Sequence, residues 1–159
     1  MVKWSAPIRP VEDPVAEPIA LTDSGIPDAI ATAAERGHQV AVSYIDDDGY
    51  PSVSFRGTTQ VIGPDRLAIW ARKRDEGLAA AIATRPEVGL VYYGPGGPGP
   101  AYLALRGRAH VDPSLDERVY GAAPQGERDQ DPDRNGVAVV IEIDRVQGFG
   151  QDGPFLQER

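Results

Sequence analysis

The stretch SVSFRGTTQVIGPDRLAIWARKRDEGLAAAIATRPEVGLV, residues 52–91, decides the fold. Its first part alternates: Val53, Phe55, Gly57, Thr59 and Val61 fall on one side, and Ser54, Arg56, Thr58 and Gln60 on the other. That is the period of a β-strand with one apolar and one polar face. Gly63-Pro64-Asp65-Arg66 has the chemistry of a tight reversal, so residues 67–71 are expected to return antiparallel beside it. The charged connector that follows leads into a short alanine-rich helix, with Asp75 as its expected N-cap, Leu78 and Ile82 on one face and Pro86 as its stop. Gly57 within a strand marks a bulge or a close approach by another group.

Upstream, prolines at 7, 10, 14 and 18 deny backbone donors and favour extended chain. Residues 1–26 are therefore expected to form an arm, either an unstructured leader or one that packs across a subunit partner. DAIATAAERG predicts a helix over 28–36, with Pro27 in its first turn and Gly37 as its stop. VAVSYI, residues 40–45, reads as a strand and DDDGYP as the turn after it. The three aspartates of that turn lack the alternating ligands and terminal glutamate of a calcium loop, and no metal is expected there.

Downstream, residues 88–93 read as a strand and GPGGPGP, residues 94–100, as a loop. Its glycines have the spacing of a dinucleotide fingerprint, but no helix follows and its prolines remove the donors a pyrophosphate needs, so the match is rejected. Residues 102–111 alternate again, with Tyr102, Arg106, Arg108 and His110 opposite Leu103, Leu105, Ala109 and Val111. Asp112-Pro113-Ser114 caps a helix running to 122, an acidic loop covers 124–136, and the last long strand is expected over 137–146. The remainder, residues 151–159, reads as a short tail loose at its end.

Six strands with few, short helices favour a closed antiparallel sheet over a doubly wound fold, which needs a helix after each strand. The chain is 159 residues, one domain's worth, and the barrel is expected over 27–150. A formal charge of −8 works against nucleic acid and anionic membranes, since phosphate neutralisation needs a basic face. There is no apolar run near the roughly 20 residues of a membrane helix and no secretory signal, so the expected location is cytoplasmic. With no cysteine, no GxSxG elbow and two histidines, a hydrolase is not supported and no catalytic residue stands out. His38 precedes the first strand and His110 lies beside Arg106 and Arg108, and neither has a second ligand at metal-binding spacing.

The hairpin with its basic connector has the parts an anionic ring-bearing ligand needs. Arg56, Arg72, Lys73 and Arg74 are candidate phosphate donors, the start of the helix near Leu78 offers backbone N–H groups, and Trp70 or Tyr93 offers a flat wall.

The order of these parts resembles the pyridoxamine 5'-phosphate oxidase-like superfamily of FMN-binding split barrels. The resemblance is carried by ERGHQVAVSYIDDDGYPSVS, the GPDRLAIWA return, a helix closing in RPEVGLVYY, and YLALRGRAHV, and it covers about residues 30–146. It implies a mainly β fold, a six-stranded antiparallel split β-barrel with short helices. It also implies a homodimer holding FMN, or in some branches the deazaflavin coenzyme F-420, in a groove between subunits, and oxidoreductase chemistry on a small-molecule substrate. By position, Arg56, Thr58, Trp70, Ala71, Arg72, Lys73, Arg74, Leu78, Tyr93 and Arg106 become cofactor-binding candidates. The chain departs from the pattern at Arg74-Asp75-Glu76-Gly77, where two acids stand in place of neutral or basic donors and repel a phosphate. A barrel that binds haem through His38 or His110, and a structural dimer without ligand, are the readings from other classes.

Overall fold

The computed structural model describes residues 12–159. Strand β2 (Ala41–Ile45) forms a hairpin with β3 (Pro51–Phe55) through the aspartate turn. There Asp46 Oδ1 accepts from the N–H groups of Asp48 and Tyr50, and Gly49 takes a φ of 83° that a side chain would resist. On its other edge β2 pairs with β6 (Glu87–Tyr93), then β6 with β7 (Tyr102–Val111) and β7 with β8 (Val137–Gly150), all antiparallel. The first half of β8 also pairs with β5 (Arg66–Ala71), which the Gly63–Arg66 reversal joins to β4 (Gln60–Gly63).

No ladder connects β3 to β4; the chain itself carries the wall across through residues 56–59. The Arg56 N–H donates to Val40 O at 2.8 Å, and the Thr58 hydroxyl accepts from the Trp70 N–H at 2.9 Å, a side chain standing in for ladder bonds. The barrel is therefore split along this line. Counting β3 and β4 as one bent strand, its walls are the six expected, and the fold is mainly β with short helices. The single alternating strand expected over 52–62 is thus two strands with a break between them.

The break corrects the expected facing of β3. Val53 and Phe55 point outward, 68% and 74% exposed, while Ser52 and Ser54 face the split. Registers place Phe55, Ala41, Val91 and Ala104 in one row across the outer sheet, with Tyr93, Tyr102 and Phe149 in another. All of the large apolar side chains in these rows are exposed.

The run Leu67-Ala-Ile-Trp-Ala is buried on both faces, as an interior strand requires. Leu67 and Ile69 point into the barrel with Leu90, Tyr92, Leu103, Val139, Ile141 and Ile143. Ala68 and Trp70 point outward under α3 (Asp116–Ala122), packing with Ile62, Val119, Tyr120 and Val140.

Other elements depart from expectation in detail. Helix α1 (Ile26–Ala31) is shorter than 28–36 and continues as turns to Gly37, where φ is 74°. Helix α2 (Gly77–Ala81) is preceded by Glu76, not Asp75, as N-cap, and no side chain bonds there. The segment 124–136, expected as a loop, contains α4 (Gln125–Arg128). The expected tail is strand β9 (Gly153–Glu158), paired with the second half of β8 and, in parallel, with β1 (Ala16–Glu17). The arm expected over 1–26 lies outside the described residues as far as residue 11. From Leu21 onward it packs on its own barrel, with Leu21 fully buried and its N–H donating to Pro64 O at 2.8 Å. Among the described residues no helix is long and apolar enough to cross a membrane.

Candidate functional site

Where the barrel splits, a cleft of about 660 Å³ opens between β3, the end of β5, the start of α2 and residues 130–135. Its floor is Arg56, half-buried at the end of β3. Among the described residues the Arg56 guanidinium makes no hydrogen bond or ion pair, and its Nε is buried without a partner. The Ser54 hydroxyl two residues earlier is buried and unpartnered as well. Burial pushes the Arg56 guanidinium below its usual pKa; Tyr44 raises it and Arg72 lowers it further. The group remains a cation at ordinary pH, so the floor carries a partly desolvated positive charge with nothing to neutralise it. Tyr44 lines the same floor.

The facing wall is organised by Asp131, which is 5% exposed. Its Oδ2 accepts from Trp70 Nε1 at 2.9 Å and the Gly136 N–H at 3.0 Å, and its Oδ1 from the Asn135 N–H at 2.9 Å. Burial alone raises the pKa of this carboxyl. The bonds from Asn135, Trp70 and Gly136 and the charge of Arg72 outweigh burial and hold it below the usual carboxylate range. The Tyr120 hydroxyl donates to Asp131 O at 3.0 Å, and its ring meets Trp70 edge-on at 5.2 Å. Gln130 and Asn135 are thereby presented to the cleft.

Five of the expected residues come together here: Arg56, Ala71, Arg72, Lys73 and Leu78. The other five do not line the cleft. Thr58 is buried and spent on Trp70 N–H. Trp70 is 4% exposed behind the wall, bonded to Asp131, so it offers no face to a ligand. Arg74 turns to Asp116 at 3.4 Å. Tyr93 and Arg106 lie on the outer sheet, Arg106 beside a separate hollow of about 110 Å³ with Arg145 and Gln147. The aromatic rings that do line the cleft are Tyr44 and, at its rim, Phe55.

Sequence reasoning missed Tyr44, Ser54, Gln130, Asp131 and Asn135. Asp131 sits in an acidic loop where a solvated carboxylate is the ordinary reading, and nothing local marks its burial. Gly57 carried a usable signal, since a Cβ there would stand 2.3 Å from Glu127 Oε1, and the close approach it implied comes from α4. Neither histidine lines this cleft, the Arg106 hollow or a third cavity of about 500 Å³ between residues 97–100 and 150–155.

The residues at the cleft fit the phosphate end of a flavin-type cofactor. An orphaned guanidinium and an orphaned hydroxyl suit an anion, whereas the ring wall expected from Trp70 is not provided.

No protein-family model and no curated protein matches the chain. Solved structures do. A pyridoxamine 5'-phosphate oxidase-related, FMN-binding protein from Nostoc punctiforme superposes with a TM-score of 0.60 at 14% identity, over 83% of this chain and 89% of that one. A pyridoxinephosphate oxidase family protein from Clostridium acetobutylicum, related to general stress protein 26, gives 0.59 at 13% over 86% and 96%. An F420 reductase gives 0.52 at 19% over 70% and 90%. The chain thus has the split β-barrel fold of pyridoxamine 5'-phosphate oxidase-like FMN-binding proteins.

Proposed function

We propose that the protein is a flavin-type oxidoreductase that binds FMN, or alternatively a deazaflavin, with the phosphate end in the cleft at Arg56, and that it acts as a homodimer on a small-molecule substrate. The observation that carries this is the half-buried, unpartnered Arg56 guanidinium beside the unpartnered Ser54 hydroxyl. Leaving such groups unsatisfied costs free energy that a bound anion recovers. The neighbours described as FMN-binding and as an F420 reductase support the choice of ligand class.

When bound, the cofactor supplies hydride or electron transfer. Arg56 neutralises the phosphate, and Ser54 donates to a phosphate oxygen. Tyr44 closes the floor against water. Phe55 at the rim offers an apolar edge to the ring, and a second copy covers what this chain leaves open. Val53, Phe55, Val91, Tyr93, Tyr102 and Phe149 form the outward apolar face that such a copy buries.

Titration of the purified protein with FMN and with a deazaflavin tests the ligand. Quenching of cofactor fluorescence that saturates at one per chain is expected, and no saturable change with either sinks the proposal. Sedimentation equilibrium tests the assembly: a dimer is expected, converted to monomer by Phe55→Asp, whereas a wild-type monomer at micromolar concentration counts against it.

A further inference from the structure

The third cavity, about 500 Å³ between residues 97–100 and 150–155, shares no lining residue with the Arg56 cleft. Its charged residues are Glu17 and Asp152, and among the described residues no Lys, Arg or His lines it. Neither carboxylate forms an ion pair among the described residues. Glu17 is the register partner of Gln157 in the parallel β1–β9 pair, which sets the two side chains beside each other on one face. Gln157 is 9% exposed, and its Oε1 accepts from the Ala20 N–H at 3.0 Å. That bond fixes which end of the amide is which: Nε2 is turned the other way, a donor with no acceptor among the described residues. Pro98, Pro154 and Phe155 supply apolar surface. The walls are held backbone to backbone, since a Cβ on Gly99 would stand 2.4 Å from Gly25 O.

We propose that this cavity binds a small organic ammonium compound that also carries a carbonyl group. Its positive charge is drawn to Glu17 and Asp152, its carbonyl oxygen accepts from Gln157 Nε2, and its carbon skeleton lies on Phe155 and the prolines. Two free carboxylates call for a cation. The enclosed Nε2 calls for an acceptor, because a buried donor left unmet costs free energy. A hard divalent cation is the wrong occupant: it takes about six or more oxygens, whereas this lining presents an N–H donor and apolar rings. Among the described residues no three carboxylates or histidines gather to hold a metal. The site is independent of the flavin reading and stands whether or not a flavin binds at Arg56.

The test is an NMR titration of the full chain with three probes. Lysinamide carries two ammonium groups and a carbonyl, cadaverine the two ammonium groups alone, and norleucinamide the carbonyl with a single ammonium. Lysinamide is expected to give saturable amide shifts at Gly97, Gly99, residues 150–153 and Phe155. It should bind about three- to tenfold more tightly than cadaverine and about two- to fivefold more tightly than norleucinamide. Glu17→Gln and Asp152→Asn each weaken lysinamide about two- to fivefold, whereas Asp47→Asn, in the turn after β2, leaves it unchanged. Gln157→Glu keeps an acceptor for the Ala20 N–H and removes the donor, so the advantage of lysinamide over cadaverine disappears.

Shifts that do not saturate or that spread over the acidic surface overturn the proposal. So does a loss at Asp47→Asn as large as that at Asp152→Asn, or an advantage over cadaverine that survives Gln157→Glu. If Gln157→Glu fails to fold, the wild-type comparison decides alone: equal affinity for lysinamide and cadaverine removes the carbonyl contact and the proposal with it.

Discussion

The two walls of the cleft are built on opposite terms. On one, every oxygen of the buried Asp131 carboxylate has a donor, and Trp70, Tyr120, Asn135 and Gly136 converge on that residue. On the other, the Arg56 guanidinium and the Ser54 hydroxyl have no hydrogen-bond partner among the described residues. A satisfied buried charge holds a structure in one shape. An unsatisfied one is a standing cost, retained where a ligand removes it. The first wall accordingly explains how the 124–136 segment is fixed, and the second holds the groups that the proposed ligand would satisfy.

That contrast breaks most readily at Asp131. Asp131→Ala leaves the Trp70 indole and two backbone N–H groups without acceptors, and a loss of about 3–5 kcal/mol is expected in urea unfolding. The sign with pH follows from the depressed carboxyl pKa. Its contribution is fully present above the ordinary aspartate value near 4, and is lost as pH falls through the lower folded-state value. The gap between wild type and Asp131→Asn should therefore be widest at neutral pH and shrink below about pH 4. A gap that stays constant with pH would mean the carboxylate charge adds nothing beyond shape.

Arg56 should behave in the opposite way. Arg56→Met removes a partly desolvated cation that has no partner, so stability is expected to change by no more than about 1 kcal/mol. Affinity for FMN is expected to fall at least tenfold, read by fluorescence titration. A variant that unfolds the barrel while keeping affinity would reverse the roles of the two walls.

Much of the frame was legible because it is written locally. The aspartate turn after β2, the Gly63–Arg66 reversal and the alternation of β7 each depend on residues within a few positions of one another. The break between β3 and β4 was not, because Gly57, Thr58 and Thr59 continue the alternation in sequence while Thr58 bonds across to Trp70, twelve positions away. Trp70 looked like a ligand wall for a similar reason. An aromatic at a strand end is ambiguous until its indole finds a carboxylate, and Asp131 lies sixty-one residues on. The connector looked freer than it is because Gln130 and Asp116, which accept from Arg72 and Arg74, come from the same distant insertion between β7 and β8. What local chemistry specifies can be read; what a remote partner neutralises cannot.

Trp70→Phe gives a smaller effect and separates packing from hydrogen bonding within the satisfied wall. The ring still meets Tyr120, but Asp131 loses one of its three donors, so about 1–2 kcal/mol of stability is expected to go. Flavin affinity should stay within about threefold, because Arg56 and Ser54 are untouched. A tenfold loss of affinity would instead place the indole in the ligand's path, where burial at 4% exposure leaves no room for it.

The smallest effect is expected at Lys73. This lysine lines the cleft and is exposed, with its ammonium 3.7 Å from the carboxylate of Glu76. Exposed pairs of this kind contribute about 0–1 kcal/mol. Lys73→Ala should leave the urea midpoint nearly unchanged and weaken FMN by about threefold or less, an effect that vanishes at raised salt. The comparison with Arg56 is then direct: two basic residues on one cleft, one solvated and paired, the other desolvated and free. If Lys73→Ala costs as much affinity as Arg56→Met, the phosphate lies at the mouth and the orphaned floor is not its seat.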